Sequence, residues 1–123
     1  MKTPPRISET EWEIMKALWK KNPLTSNEIQ SKTGIHLQTA KTYIGRLVKK
    51  GAIGFEKAGR SYLYRPLFTQ SECQKKESRS FLDRVFGGSL QPMLSHLVEE
   101  DAISEEEIEL LRKTLKQRRR RKE

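Results

Sequence analysis

Gln38, Thr39, Lys41, Thr42, Arg46 and Lys49 lie in one short stretch, HLQTAKTYIGRLVKKG at 36–51, that contains no carboxylate. Within it Ala40, Ile44, Leu47 and Val48 recur at helical spacing and form a single apolar stripe. At about 100° per residue, Gln38, Thr42, Gly45 and Lys49 fall on the opposite side, flanked by Thr39, Lys41 and Arg46. Such a face offers amides, hydroxyls and cations together. These groups suit base edges and phosphate oxygens, whereas an acid among them would repel a nucleic-acid duplex. A solvated amphipathic helix is the plain alternative, but such helices ordinarily mix both signs of charge. What precedes and follows the stretch favours a surface that reads DNA.

The elements before it have the order needed to present such a helix. Ser8 and Glu11 have capping-box spacing, and Trp12, Met15 and Trp19 then repeat at three and four residues, with Ile14 and Leu18 widening the apolar face. Tryptophans in such a stripe read as core. Asn22-Pro23 ends this first helix. Thr25 and Glu28 make a second capping box, opening a short helix that Gly34 stops. Helix, short helix, turn and basic helix is the sequence of a helix-turn-helix. After Gly51 the period changes: Ile53 and Phe55 alternate, a turn is expected around Ala58-Gly59, and Tyr62 and Tyr64 alternate again. A β-hairpin directly after a recognition helix makes a winged helix. Lys57 and Arg60 flank its tip, placed for backbone phosphates, although the same two cations would equally keep a turn soluble.

From Thr69 the pattern is helical once more. Phe81, Leu82, Val85 and Phe86 form a dense apolar end before Gly87-Gly88, and Ser89 can cap a next helix that tolerates Pro92 in its first turn. Leu90, Leu94, Leu97 and Val98, with Met93 beside them, mark that helix's apolar face. Ser104 and Glu107 form a third capping box, and Ile108, Leu111 and Leu115 follow at helical spacing. Three helices of fewer than fifty residues in all cannot bury so many large apolar groups alone. Burial against a second copy in a two-fold dimer solves the problem, with packing onto the N-terminal domain as the competing solution. Lys116 to Glu123, with four consecutive arginines, reads as a solvated, disordered tail attracted to nucleic acid without sequence preference. The expected fold is therefore mainly α (α+β). It comprises a winged helix-turn-helix over 1–68, a three-helix dimerisation domain over 69–115 and a basic tail over 116–123.

The charge distribution supports two separate jobs. The net charge is +9, but residues 1–68 carry 13 basic and 5 acidic side chains, whereas residues 69–115 carry 6 basic and 10 acidic. A basic front half meets a polyanion, and an acidic back half stays off it. No apolar run approaches the ~20 residues that span a bilayer, and MKTPPRISE has no hydrophobic signal segment, so a cytoplasmic protein without a membrane partner is expected. The single cysteine, Cys73, excludes an internal disulfide and a cysteine-cluster metal site, and its helical context makes it a small core residue. His36 and His96 lie in different domains and lack ligand partners. No nucleophile elbow, phosphate-binding glycine loop or paired acid and base occurs, so neither an enzyme nor a cofactor or metal is expected. Two non-enzymatic rivals stay open: a nonspecific basic nucleic-acid binder, and a protein-interaction adaptor built on a winged helix.

Taken together, ISETEWEIMKALW (7–19), TSNEI (25–29), TAKTYIGRLVKKGAI (39–53), YLY (62–64), FLDRVFGG (81–88) and EEIELLRKTL (106–115) resemble the penicillinase repressor family. This is the BlaI/MecI group of winged-helix regulators, to which the copper-responsive CopY repressors are related. The resemblance implies a homodimer that represses a resistance operon by binding inverted repeats with TACA/TGTA-like cores. It also implies base and phosphate contacts from Gln38, Thr39, Lys41, Thr42 and Arg46. The family typically has lysine where this chain has Gln38, and glutamine can pair bidentately with adenine, which lysine cannot. Penicillinase repressors are inactivated by a membrane sensor-protease that cuts an Asn-Phe bond in the fifth helix. In this register the bond becomes His96-Leu97. The paired Cys-x-Cys motifs of the copper-responsive relatives have no counterpart here.

Overall fold

Each N-terminal element begins or ends on a residue whose local chemistry accounts for it. The structure, a computed structural model, describes residues 2–122. Helix α1 (Glu9–Lys20) starts at Ser8, whose hydroxyl accepts from the Glu11 backbone N–H at 3.3 Å, while the Glu11 carboxylate accepts from the Ser8 N–H at 2.8 Å. Helix α2 (Ser26–Thr33) has the same reciprocal box between Thr25 and Glu28 and stops where Gly34 turns left-handed at φ 74°. Helix α3 (Leu37–Lys50) stops in the same way at Gly51, φ 83°, where the Ala52 N–H donates back to the Leu47 carbonyl at 2.9 Å.

Strands β1 (Ile53–Ala58) and β2 (Ser61–Pro66) pair antiparallel, with Ile53 opposite Pro66 and Ala58 opposite Ser61. The connecting loop is Gly59-Arg60, one residue later than the turn expected around Ala58-Gly59, because Gly59 supplies the positive φ of 65° that opens a two-residue loop. Leu24 exchanges two backbone hydrogen bonds with Tyr64, at 3.0 and 2.8 Å. The hairpin is thereby tied to the α1–α2 connection and held beside α3.

One core serves all of these elements. Ile7, Ile14, Met15, Leu18, Leu24, Ile29, Ile44, Leu47, Ala52, Ile53 and Cys73 form a single buried cluster. Trp12 and Trp19, expected as core, cover its edge half-buried, with their rings 5.4 Å apart. The Trp19 indole N–H donates to the Phe68 carbonyl, which satisfies its polar end.

Three helices complete the chain: α4 (Gln70–Phe86), α5 (Leu90–Glu99) and α6 (Glu105–Lys122). The chain divides into two compact units between Ser78 and Arg79, inside α4 and not at the expected 68/69 boundary. The first turns of α4 explain the shift. Thr69 and Glu72 form a fourth capping box, Cys73 is buried in the N-terminal core, and the Lys76 ammonium donates to the Pro4 carbonyl.

Two expectations about the C-terminal segments need correction. The tail is not disordered, since α6 continues through the four arginines to Lys122. Between Leu115 and Lys122 there is neither Gly nor Pro, and Lys, Arg and Gln are good helix formers. The cations also sit at the negative end of the helix dipole. Ser89 occupies the N-cap of α5, but its side chain makes no cap bond. The third helical position is Pro92, which has no N–H to donate. Ser104 caps α6 as expected, its hydroxyl accepting from the Glu107 N–H at 3.1 Å.

Candidate nucleic-acid interface

α3 turns its stripe inward and leaves its polar face free. Ala40, Ile44 and Leu47 are buried, whereas Gln38, Thr39, Lys41, Thr42, Gly45, Arg46 and Lys49 are all exposed. Two contacts within the helix orient this face. The Thr42 hydroxyl donates to the Gln38 carbonyl at 3.1 Å, and the Arg46 guanidinium lies over the Tyr43 ring, 4.9 Å from its centroid. Among the described residues, Lys41, Arg46, Lys49, Lys57 and Arg60 make no ion pair, so their charge is available to an outside anion.

Lys50 behaves otherwise, for a reason the spacing did not reveal. Its ammonium pairs with Glu11 at 2.5 Å and donates to the Arg6 carbonyl at 3.0 Å. Glu11 is the one buried acid among the described residues, 1% exposed. Burial pushes its carboxyl up, but Lys50 and the Ser8 donors outweigh this and hold it below the ordinary carboxylate value. The C-terminal end of α3 is therefore fastened to the N-terminal end of α1. The capping box was legible in the sequence; the second partner of Glu11, thirty-nine residues away, was not.

The wing completes the surface. Opposite partners share a face, so Phe55 with Tyr64 and Lys57 with Tyr62 all lie on one side of the hairpin. Phe55 and Tyr62 stand edge to face, with centroids 5.3 Å apart. Tyr64 lies deeper, and its hydroxyl is pushed upward by burial and then by Tyr62. A groove of about 610 Å³ runs between α3 and this face, lined by Lys41, Gly45 and Val48 on one side and by Phe55, Arg60 and Tyr62 on the other. It thus brings together Lys41 and Arg60, inferred separately from the helix face and the hairpin tip.

The C-terminal unit contains every residue expected to meet a second copy, and none of them is buried. Leu82, Phe86, Met93, Leu94 and Leu97 are half-buried, while Phe81, Val85, Val98, Ile108, Leu111 and Leu115 are exposed. The Phe86 ring lies 6.0 Å from Phe81 and 6.2 Å from His96. The His96-Leu97 bond lies inside α5, with His96 exposed and Leu97 half-buried. No group of metal-ligating side chains and no helix long and apolar enough to cross a membrane occurs among the described residues.

Comparison with known proteins gives these features a common context. The family described as Penicillinase repressor matches residues 7–117. The penicillinase repressor of Bacillus licheniformis is 38% identical over 126 residues, covering 99% of this chain and 98% of that protein. The methicillin resistance regulatory protein MecI of Staphylococcus aureus is 34% identical over 113 residues, covering 89% and 92%. The solution structure of the DNA-binding domain of the repressor BlaI superposes with a TM-score of 0.51 at 36% identity, covering 58% of this chain and 93% of that domain. The winged helix, the exposed cations Lys41, Arg46 and Lys49 of α3 and a match that runs almost from end to end agree: this chain belongs to the penicillinase repressor family.

Proposed function

We propose that this protein is a cytoplasmic, non-enzymatic, dimeric transcriptional repressor that binds an inverted-repeat operator with TACA/TGTA-like half-sites in double-stranded DNA. The observation that carries this reading is the acid-free exposed face of α3, where Gln38, Thr39, Lys41, Thr42, Arg46 and Lys49 project together and, among the described residues, Lys41, Arg46 and Lys49 make no ion pair. α3 enters the major groove, and Lys57 and Arg60 of the wing rest on flanking phosphates. The apolar faces of α4, α5 and α6 meet their counterparts in a second copy and set the half-site separation at roughly 10 base pairs or a multiple of it. Repression ends when the dimer is lost. A sensor-protease that cuts His96-Leu97 would do this by separating α6 from the preceding helices, and α5 must first unwind around that bond.

Equilibrium binding at fixed salt tests the reading. The inverted-repeat duplex should bind at least about 10³-fold more tightly than a scrambled duplex of equal length. Thr42→Ala should narrow that ratio by about 1–3 kcal/mol while scarcely changing affinity for the scrambled duplex. Equal affinity of the parent protein for both duplexes would identify a nonspecific binder instead. Negligible salt-dependent affinity for either would leave the adaptor.

A further inference from the structure

Phe55 and Tyr62 are 52% and 44% exposed, and both belong to the groove between α3 and the wing. Their exposure is not a by-product of a loose hairpin. The two strands are paired through all six positions, and the rings hold each other edge to face at 5.3 Å. Solvated aromatic rings kept in fixed positions on an otherwise polar surface mark a place where another surface packs. The rest of the lining identifies the kind of surface. No Asp or Glu lines the groove, Lys41 and Arg60 stand on its two sides, and Thr25, Ser26 and Asn27 at the start of α2 add small polar groups. At Gly45 an added Cβ would meet nothing within 4 Å, so the helix side of the groove is open. Apolar rings between unpaired cations match a sugar-phosphate strand, which alternates deoxyribose carbon with anionic oxygen. The groove is also continuous with the exposed face of α3.

We infer that this groove seats one sugar-phosphate strand of the bound duplex, with Phe55 and Tyr62 packing on deoxyribose while Lys41 and Arg60 hold the adjoining phosphates. The inference rests on the DNA-reading role of α3 and adds to it a contact that is neither ionic nor sequence-specific. Ring-to-sugar packing releases no counterions, so it contributes affinity without steepening the dependence on salt. Cations in the same groove contribute the opposite signature.

The test measures affinity of the full-length protein for the inverted-repeat duplex and for a scrambled duplex across a salt series. Phe55→Ala and Tyr62→Ala should each weaken both duplexes alike, by about tenfold, with the slope of log K against log salt unchanged. Arg60→Ala should lower that slope by about 1. Phe55→Leu, which keeps apolar bulk, should retain most of the affinity and stands in should the alanine variant unfold. Unchanged affinity in both aromatic variants would overturn the inference; if Thr42→Ala still narrows discrimination, the role of α3 survives that result. Loss confined to the inverted repeat would also overturn it, because the rings would then be reading bases. Benzoate that binds through Phe55 to the DNA-bound protein as well as to the free protein would do so too, because the groove would then be vacant in the complex and open to a small aromatic anion.

Discussion

The two units solve the problem of burial differently. Every buried residue among the described ones precedes residue 79, and α5 and α6 contain none. The N-terminal unit closes its core with side chains from α1, α2, α3, β1 and α4, while the C-terminal unit leaves Leu111 61% exposed in the middle of its last helix. Both have helices of respectable length and apolar spacing, so helix-forming tendency is not the difference. What differs is whether the apolar stripes find partners within one chain. The first unit buries its stripes within one chain, and the second leaves them open to solvent.

The largest effect should come from breaking the unfinished half. Leu94→Asp places a charge on the face of α5 that the proposed second copy would cover. It should convert a dimer to a monomer by sedimentation and lower affinity for the inverted repeat by about 10²–10⁴-fold, since two linked domains gain that much from effective concentration. The N-terminal unit should stay folded, which Trp12 and Trp19 report because both lie within it. An operator-bound dimer of Leu94→Asp would return the C-terminal helices to packing within one chain.

The converse substitution sharpens the contrast from the finished side. Leu47 is fully buried beneath α3, and Leu47→Ala should cost the tryptophan-detected transition about 2–5 kcal/mol. Leu111→Ala removes the same side-chain atoms and should leave that transition in place while weakening dimerisation. Equal shifts from the two variants would show a single cooperative core.

How much of this was legible in the sequence follows the same division. Capping boxes, glycine stops and period changes are local, and Ser8, Thr25, Gly34, Gly51 and Ser104 all act as their neighbours dictate. The α3 face was legible because 3.6-residue periodicity alone decides which side is buried. What escaped were contacts between residues far apart in the chain. The Leu24–Tyr64 bridge, the Glu11–Lys50 pair and the groove joining Lys41 to Phe55 and Arg60 have no signature within any window. The boundary inside α4 was missed for a related reason: a helix pattern shows where an element begins, but not which core its first turns join. The helical tail was misread from composition, since an arginine run that extends an established helix needs no packing of its own to stay helical.

Removing one of those long-range contacts should give an intermediate effect. Lys50→Met leaves the Glu11 carboxylate buried without its cation, which should cost about 1–3 kcal/mol of N-terminal stability, less than a fully buried pair because Lys50 is partly solvated. Since the pair fastens the end of α3, affinity for the inverted repeat should fall as well, with Lys50→Arg restoring both. Undiminished stability in Lys50→Met would mean that Glu11 is adequately held by Ser8 alone.

Acid should produce the smallest and most localised difference between the units. Burial opposes the charged form of Glu11, but its Lys50 and Ser8 partners prevail, while Glu28 and Glu72 are lowered chiefly by the backbone N–H groups of Thr25 and Thr69. All three lie before residue 79. Because each folded carboxyl titrates below its ordinary value near 4.5, the unfolded chain takes up protons first as pH drops. Their stabilisation is thus complete above about pH 4.5 and disappears as pH falls through the lower folded values. Tryptophan-detected unfolding should therefore lose stability below about pH 4.5. Glu11→Gln should make that decline shallower, since glutamine keeps an acceptor for Lys50 but binds no proton. A variant that declined as steeply as the parent would place the acid-sensitive groups elsewhere and remove Glu11 from the account of how α3 is held.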